Sequence, residues 1–365
     1  MTMDTKIMNR TKRLGSLDAF RGFDMMFIMG VANIIAAAAS LFPGGADSWI
    51  VSQMEHAEWN GLHIMDMIFP TFLFIAGISW PFSYDRQISG GATAAAVRRR
   101  IIRRGLALVA LGIIYNGFFR LDFGTMRFYS VLGRIGLAWM FAALIFVYCK
   151  RTLRWALAAF ILLGYWALCI IPTGGGNDMG GIVGYVDRAL LPGHLYNGDF
   201  DPEGLVSTLP AIVTAMLGMF TGEWVRREDV SGSRKTVAML GAAVVLIAAG
   251  YVWDIWFPIN KKLWTSSFVL AAGGCSLAVF AVFYWLIDVK GWGGWAFPLK
   301  VIGMNSITIY MAQAIIAFDG ISQFFFGGLA SKCGAAGSLV SAVGYVLVSW
   351  LFLYFLYRKK IFLKV

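Results

Sequence analysis

Apolar residues run along this chain in long, nearly unbroken stretches, without the two-residue alternation of a half-buried strand or the narrow stripe of a surface helix. About ten of them approach the roughly 20 residues that a helix needs to cross the hydrocarbon core of a bilayer. They lie near residues 18–42, 62–83, 101–119, 128–149, 155–172, 206–224, 236–253, 265–287, 297–318 and 338–357. The pattern predicts an all-α fold, a polytopic transmembrane helix bundle of about ten spans, in a single domain over residues 1–365. The stretch from Trp292 to Phe318 is the most interrupted, by glycines, a proline and Lys300. No heptad pattern, low-complexity tail or internal repeat divides the chain.

Composition agrees with a membrane setting, since 59% of residues are hydrophobic and 14% charged. The charges then orient the bundle. On one side fall 23 of the 31 basic residues, in the N-terminal tail, the alternate loops around Arg86–Arg104, Lys150–Arg154, Arg226–Lys235 and Lys290–Lys300, and the C-terminal Arg358–Lys364. The other side holds six, Arg120, Arg127, Arg188, Lys261, Lys262 and Lys332. By the positive-inside rule both termini are expected in the cytoplasm. The net charge of +11 is therefore a topology signal and not a nucleic-acid footprint. Cys149, Cys169, Cys275 and Cys333 lack metal-site or redox spacing, so they are read as packing residues, with neither a disulfide framework nor a metal centre. The N-terminal run has a signal-peptide flavour, but Asp18, Arg21 and Asp24 interrupt it and it exceeds a usual h-region, so it is read as the first span.

The longest outward connection, residues 173–205, is rich in Gly, Asp and Asn yet carries Tyr185, Leu190, Leu191, Leu195, Tyr196 and Phe200, enough apolar surface to fold back as a lid. It is expected on the face that carries His56. That histidine opens the most informative segment, HAEWNGLHIMDMIFPTFLFIAG from His56 to Gly77, where ionisable groups stand at the start of a span and Asp66 is carried into it. Such groups are costly at membrane depth and read as functional. On a continuous helix Asp66 would sit about 15 Å deeper than His56, out of hydrogen-bond reach unless the segment is broken, with His63 at i, i+3 as the nearer partner or a buried cation in its place. Asp18 and Arg21 are also i, i+3, near the cytoplasmic end of the first span; Arg134 lies inside the fourth.

Along nearly its whole length the chain resembles the heparan-α-glucosaminide N-acetyltransferase family. The resemblance rests on RLGSLDAFRG at 13–22, the His56–Gly77 segment, RFYSVLGRIG at 127–136, GYVDRALL at 184–191, DPEGLVSTLPAIV at 201–213, NKKLWTSSFV at 260–269, DVKG at 288–291, GMNSITIY at 303–310 and the closing LYRKKIFLKV. It implies an acetyl-CoA-dependent acetyltransferase that passes acetyl from cytosolic acetyl-CoA to the amine of a terminal glucosamine across the membrane, without a metal. The shared HAxWNG wording places the family's active-site histidine on His56. The chemistry agrees, because a glucosamine amine arrives protonated and histidine, with an unperturbed pKa of about 6.5, suits its deprotonation. Either a general base or an acetyl-histidine nucleophile fits. Arg21 and Arg134 are candidates for the CoA phosphates, with Asp18 as donor-site residue or local ion pair and Asp66 as contact to the donor's route or structural ion pair. Asn33 matches a family asparagine across a gap; it, Asn305 and Ser306 could orient an acyl carbonyl or join helices.

Tyr129 and Ser130 stand where relatives have Pro-Gly, Gly133 where they have glutamine, the Asn33–His56 loop is longer than in the animal enzyme, and its extra leading domain and helix have no counterpart here. Acceptor choice is open on that account. Expected partners are acetyl-CoA, an amino sugar or glycan with terminal glucosamine, the lipid bilayer and a second copy in a homodimer, in a bacterial inner membrane. Two alternatives remain at the level of sequence, an amino-sugar transporter, for which no inverted repeat is visible, and an O-acetyltransferase acting on a cell-envelope glycan.

Overall fold

The computed structural model describes residues 14–171 and 181–363. Most of the basic N-terminal tail, Lys364 and the Gly-rich start of the long outward connection lie outside them. The described residues form helices with no strand, only an isolated antiparallel bridge between Arg127 and Gly193. Apart from single turns at Trp49–Ser52, Phe118–Arg120 and Gly334–Ala336, in chain order they are α1 (Gly15–Ala39), α2 (Ile64–Ser89), α3 (Ala94–Tyr115), α4 (Val131–Tyr148), α5 (Arg151–Cys169), α6 (Gly181–Leu190), α7 (Thr208–Val225), α8 (Gly232–Asp254), α9 (Ser266–Val289), α10 (Phe297–Met304), α11 (Ser306–Ile315), α12 (Phe318–Lys332) and α13 (Gly337–Arg358). Polar residues at the breaks start several of them. Thr93, Ser130 and Thr265 accept from the backbone N–H groups of Ala96, Gly133 and Phe268, satisfying donors that an apolar sequence leaves open.

Among the described residues eight helices are long and apolar enough to span a membrane, nine if the bent pair Ser306–Ile315 and Phe318–Lys332 is one span, and the eight match eight of the ten expected stretches. The other two differ for identifiable reasons. The helix at 101–119 begins earlier, at Ala94, so Arg98, Arg99, Arg100, Arg103 and Arg104 occupy its first turns. The expected span at 297–318 is broken at Asn305, and its second half meets α12 at an 80° bend after Ile315. The hydropathy pattern did not reveal α12.

Burial sorts the helices into inner and outer ones. In α2 and α7, 67% and 78% of the apolar window is buried, against 17% in α5 and α13. Phe160, Val244, Phe324 and Leu351 stay exposed on outer helices, a surface suited to lipid and not to water. The inner pair packs at backbone distance, because a Cβ on Gly218 would lie 2.0 Å from the carbonyl oxygen of Phe74 and one on Gly77 would lie 2.2 Å from that of Ala215. Gly218 and Gly222 form the small-residue spacing that lets membrane helices approach this closely. In α1 a π turn at Phe27–Val31, with Gly30 at φ 109°, inserts an extra residue and rotates everything beyond it by about 100°.

Candidate active site

The segment before α2 is not helical, and that break builds the site. After Glu55 the chain turns through Asn60 and Gly61, the latter at φ 125°, and α2 begins only at Ile64. Asp66 is thus in the first helical turn, where its carboxylate caps the open N-terminus. Its Oδ2 accepts from the backbone N–H of His63 and of Ala57, each at 3.1 Å, while Oδ1 lies 2.9 Å from Nδ1 of His56. The separation of about 15 Å that a continuous helix would impose does not arise, because the segment is broken and eight of the ten steps from His56 to Asp66 are loop. His63 meets Asp66 through its backbone, and its ring faces the carbonyl of Glu55 at 3.1 Å.

A second loop closes on the first. Gly61 N–H donates to the carbonyl of Ile259 at 2.8 Å, and the Asn260 side-chain amide donates to Oδ1 of Asn60 at 3.1 Å. This clamp brings Lys261 to 3.4 Å from Asp66 Oδ1 and 3.0 Å from His56 Nδ1. Two donors cannot bond each other, so with a proton on Nδ1 both groups donate to Asp66, and Nε2 of His56, 3.4 Å from the Lys261 ammonium, keeps its lone pair. Burial holds the Lys261 ammonium below its ordinary value, against the pull of Asp66. Asp66 is 1% exposed and His56 55%, so the carboxylate is sealed while the imidazole opens outward.

It opens onto a cavity of about 830 Å³, of the size that small-molecule sites occupy. One wall follows α2 from Met65 to Ser79, about 21 Å of helix, so the space runs through the bundle and not across its surface. At the end where α2 begins stand His56, Asp66, Lys261, Trp59, Tyr196 and Glu203; at the opposite end stand Arg21, Ser79 and Arg104. Arg21 pairs with Asp18 at 3.3 Å and donates to Ser79 Oγ at 3.2 Å. Arg104, within electrostatic reach of Arg21, stacks on Trp139 at 4.3 Å and leaves a buried Nε without a partner among the described residues. Asn305 and Ser306 sit in the wall at the α10–α11 break, and the buried Asn305 Nδ2 also lacks a partner there.

Not every expected residue converges. Arg134 is buried one turn into α4, stacked on Trp264 at 5.0 Å and bonded to Ser207, and it does not line the cavity. Asn33 lies beyond the π turn on an exposed face of α1, also outside the cavity wall. The described part of the long connection reaches the His56 end of the cavity, where Tyr196, Pro202 and Glu203 line it. Within it Asp187 accepts from the backbone N–H groups of Asp201 and Leu205 at 3.1 and 3.2 Å, and Asp201 holds Arg127 with two bonds of 2.7 and 2.5 Å. Burial would lower the Arg127 guanidinium, but Asp201 and Glu203 hold it above its ordinary value. Lys261 and Arg104 were legible in the sequence only as topology charges.

Residues 13–251 match the family model described as heparan-alpha-glucosaminide N-acetyltransferase, catalytic. The chain is 29% identical to the heparan-alpha-glucosaminide N-acetyltransferase of Homo sapiens over 419 aligned positions, and 28% identical to that of Mus musculus over 416. Each alignment covers 97% of this chain, which spans 60% of the length of these relatives.

Proposed function

The chain belongs to the heparan-α-glucosaminide N-acetyltransferase family, and we propose that it moves an acetyl group from cytosolic acetyl-CoA to the amine of a glucosamine-type sugar on the far side of a bacterial inner membrane. The observation that carries this reading is the His56–Asp66 pair opening onto a cavity that runs to two arginines at its other end. The proposed topology puts both termini in the cytoplasm and His56 at the outer mouth, in keeping with the asymmetry of basic residues.

Arg21 and Arg104 receive the phosphates of the donor, since guanidinium groups bind phosphate in a forked geometry and both line the inner end. Asp18 positions Arg21. The unpartnered Asn305 amide, with Ser306 beside it, suits the amide carbonyls of a pantetheine arm threaded along α2. Neither Arg134 nor Asn33 enters this arrangement, because each lies off the cavity.

At the outer end Asp66 fixes the His56 ring, leaving Nε2 to take a proton from the incoming ammonium or to accept the acetyl group itself. In direct transfer the amine forms the C–N bond as the C–S bond breaks and the thiolate leaves with a proton; through an acetyl-histidine the C–S bond breaks as Nε2 is acetylated, and the amine then displaces Nε2 from the acetyl carbon. Incubating purified protein with radiolabelled acetyl-CoA and a panel of amino sugars and neutral sugars tests the reading. Labelled amide is expected; transfer confined to hydroxyl acceptors, or uptake without transfer, overturns it.

A further inference from the structure

We propose that the outer end of the cavity is an acceptor subsite that selects the ammonium form of an amino sugar through the Glu203 carboxylate, with Trp59 and Tyr196 as its aromatic walls. The inference rests on the acetyl-transfer reading but concerns residues which that reading leaves without a role.

Glu203 is placed with care for a side chain in a loop. Its backbone N–H donates to Asp201 Oδ1 at 2.9 Å, and its Oε2 accepts from Nη2 of Arg127. That arginine is already held by both oxygens of Asp201. One cation is therefore shared between two carboxylates; the nearby Arg134 and Asp187 charges offset each other, and the cluster retains a net negative charge in a chain of net charge +11. Asp201 is fully buried, so the surplus is presented by Glu203, whose side chain is 11% exposed and lines the cavity. Its Oε1 has no hydrogen-bond donor among the described residues. Lys261 is within electrostatic reach of Glu203 but is ion-paired with Asp66, and Lys262 donates to the carbonyl of Glu58 at 2.7 Å. A cavity-facing carboxylate oxygen with a fixed partner on its other side and no donor of its own calls for a cationic donor from the ligand.

The walls fit a sugar. Trp59 and Tyr196 both line this end, where apolar faces of a pyranose can pack on aromatic rings. Each ring is held by a neighbour, Trp59 by an edge contact with Phe200 at 5.8 Å and by the Lys262 ammonium 5.8 Å from its centroid, and Tyr196 by the Arg127 guanidinium of the cavity wall 4.7 Å over one face. The sugar thus enters as R–NH3+, held at Glu203, and gives one proton to His56 Nε2. The freed lone pair forms the C–N bond to the thioester carbonyl carbon, the C–S bond breaks, and the second nitrogen-bound proton goes to the departing thiolate. One proton is released to solvent from His56 for each amide made.

The test compares D-glucosamine with D-glucose, which differ at this position by amine against hydroxyl. Competition against acetyl transfer by the wild-type protein should favour glucosamine, and equal affinity for the two sugars overturns the subsite without any variant having to fold. In Glu203→Gln the glucosamine KM should rise about 10- to 100-fold and the preference over glucose should vanish, while CoA affinity stays that of wild type and reports an intact fold. Trp59→Ala should weaken both sugars alike. An unchanged KM and preference in Glu203→Gln overturns this assignment and leaves acetyl transfer standing; no amide formation by wild type with any amine removes the parent reading.

Discussion

His56 and Asp66, ten positions apart, share a 2.9 Å hydrogen bond because the chain between them turns back on itself before α2 begins. The same carboxylate caps that helix. Asp66→Asn should therefore keep the shape of the site while losing the charge that fixes the imidazole. Acetyl transfer should fall about 10²- to 10⁴-fold with CoA binding retained. Asp66→Ala should also cost about 1 kcal/mol of stability through the lost cap, seen as a lower Tm. Wild-type turnover in Asp66→Asn would separate this carboxylate from the chemistry.

His56→Ala should lose at least about 10²-fold in turnover and still bind CoA, whereas His63→Ala and His194→Ala should stay active. Mass spectrometry of protein held with acetyl-CoA and no acceptor divides the two routes. An acetyl adduct on His56 that disappears with glucosamine at a competent rate marks a covalent intermediate; full activity without any adduct marks direct transfer. Near-normal turnover by His56→Ala removes this histidine from the mechanism.

Arg21→Ala and Arg104→Ala should each weaken CoA binding about 10-fold or more, the range expected for a lost charge-assisted hydrogen bond. Arg134→Ala should leave CoA affinity alone and lower thermal stability, since it removes the stack on Trp264 and the contact with Ser207. Isothermal titration with CoA reads the three side by side, and the reverse ranking would return the phosphates to Arg134.

Burial pushes the Asp187 carboxyl up to about 6, against about 3.9 for a free aspartate. The folded protein then binds this proton more tightly than the unfolded chain does. Its contribution to stability is fully present below about pH 4 and is lost as pH rises through about 6. Thermal unfolding in detergent across that window should show the decline in wild type and a flatter profile in Asp187→Asn. Parallel profiles would mean that Asp187 is ionised throughout.

Reporter fusions at Gly91 and Gly180 should land on opposite sides of the membrane, with Gly91 cytoplasmic. Both on one side would defeat the proposed orientation, and with it the assignment of the arginine end to the donor.

Most helices were legible because a bilayer forces each span to declare itself as a long apolar run. Where the run carried its own interruption, as at Asn305, hydropathy smoothed over a real break. The site was half legible. His56 stood out by its wording, but its bond to Asp66 was hidden by treating residues 56–66 as helix. Asn60-Gly61 is a turn signal, and an acidic residue just inside an apolar run is a helix-start signal; together they mark the break. Lys261 could not have been found this way. Its approach to His56 depends on a contact between loops separated by 200 residues, which leaves no local pattern.

That long separation orders events during synthesis. The His56–Asp66 pair needs only the start of α2, and so exists once the first two helices are inserted. The Asn60–Asn260 clamp, and Lys261 with it, must wait for about 200 further residues, some 10–40 s at the ribosome's usual pace of roughly 5–20 residues per second. During that interval the nascent chain carries an imidazole and a carboxylate without the lysine or the closed outer wall. The proposed site is completed by one of the later segments to arrive, and a chain truncated before residue 259 is left without the Asn60–Asn260 clamp.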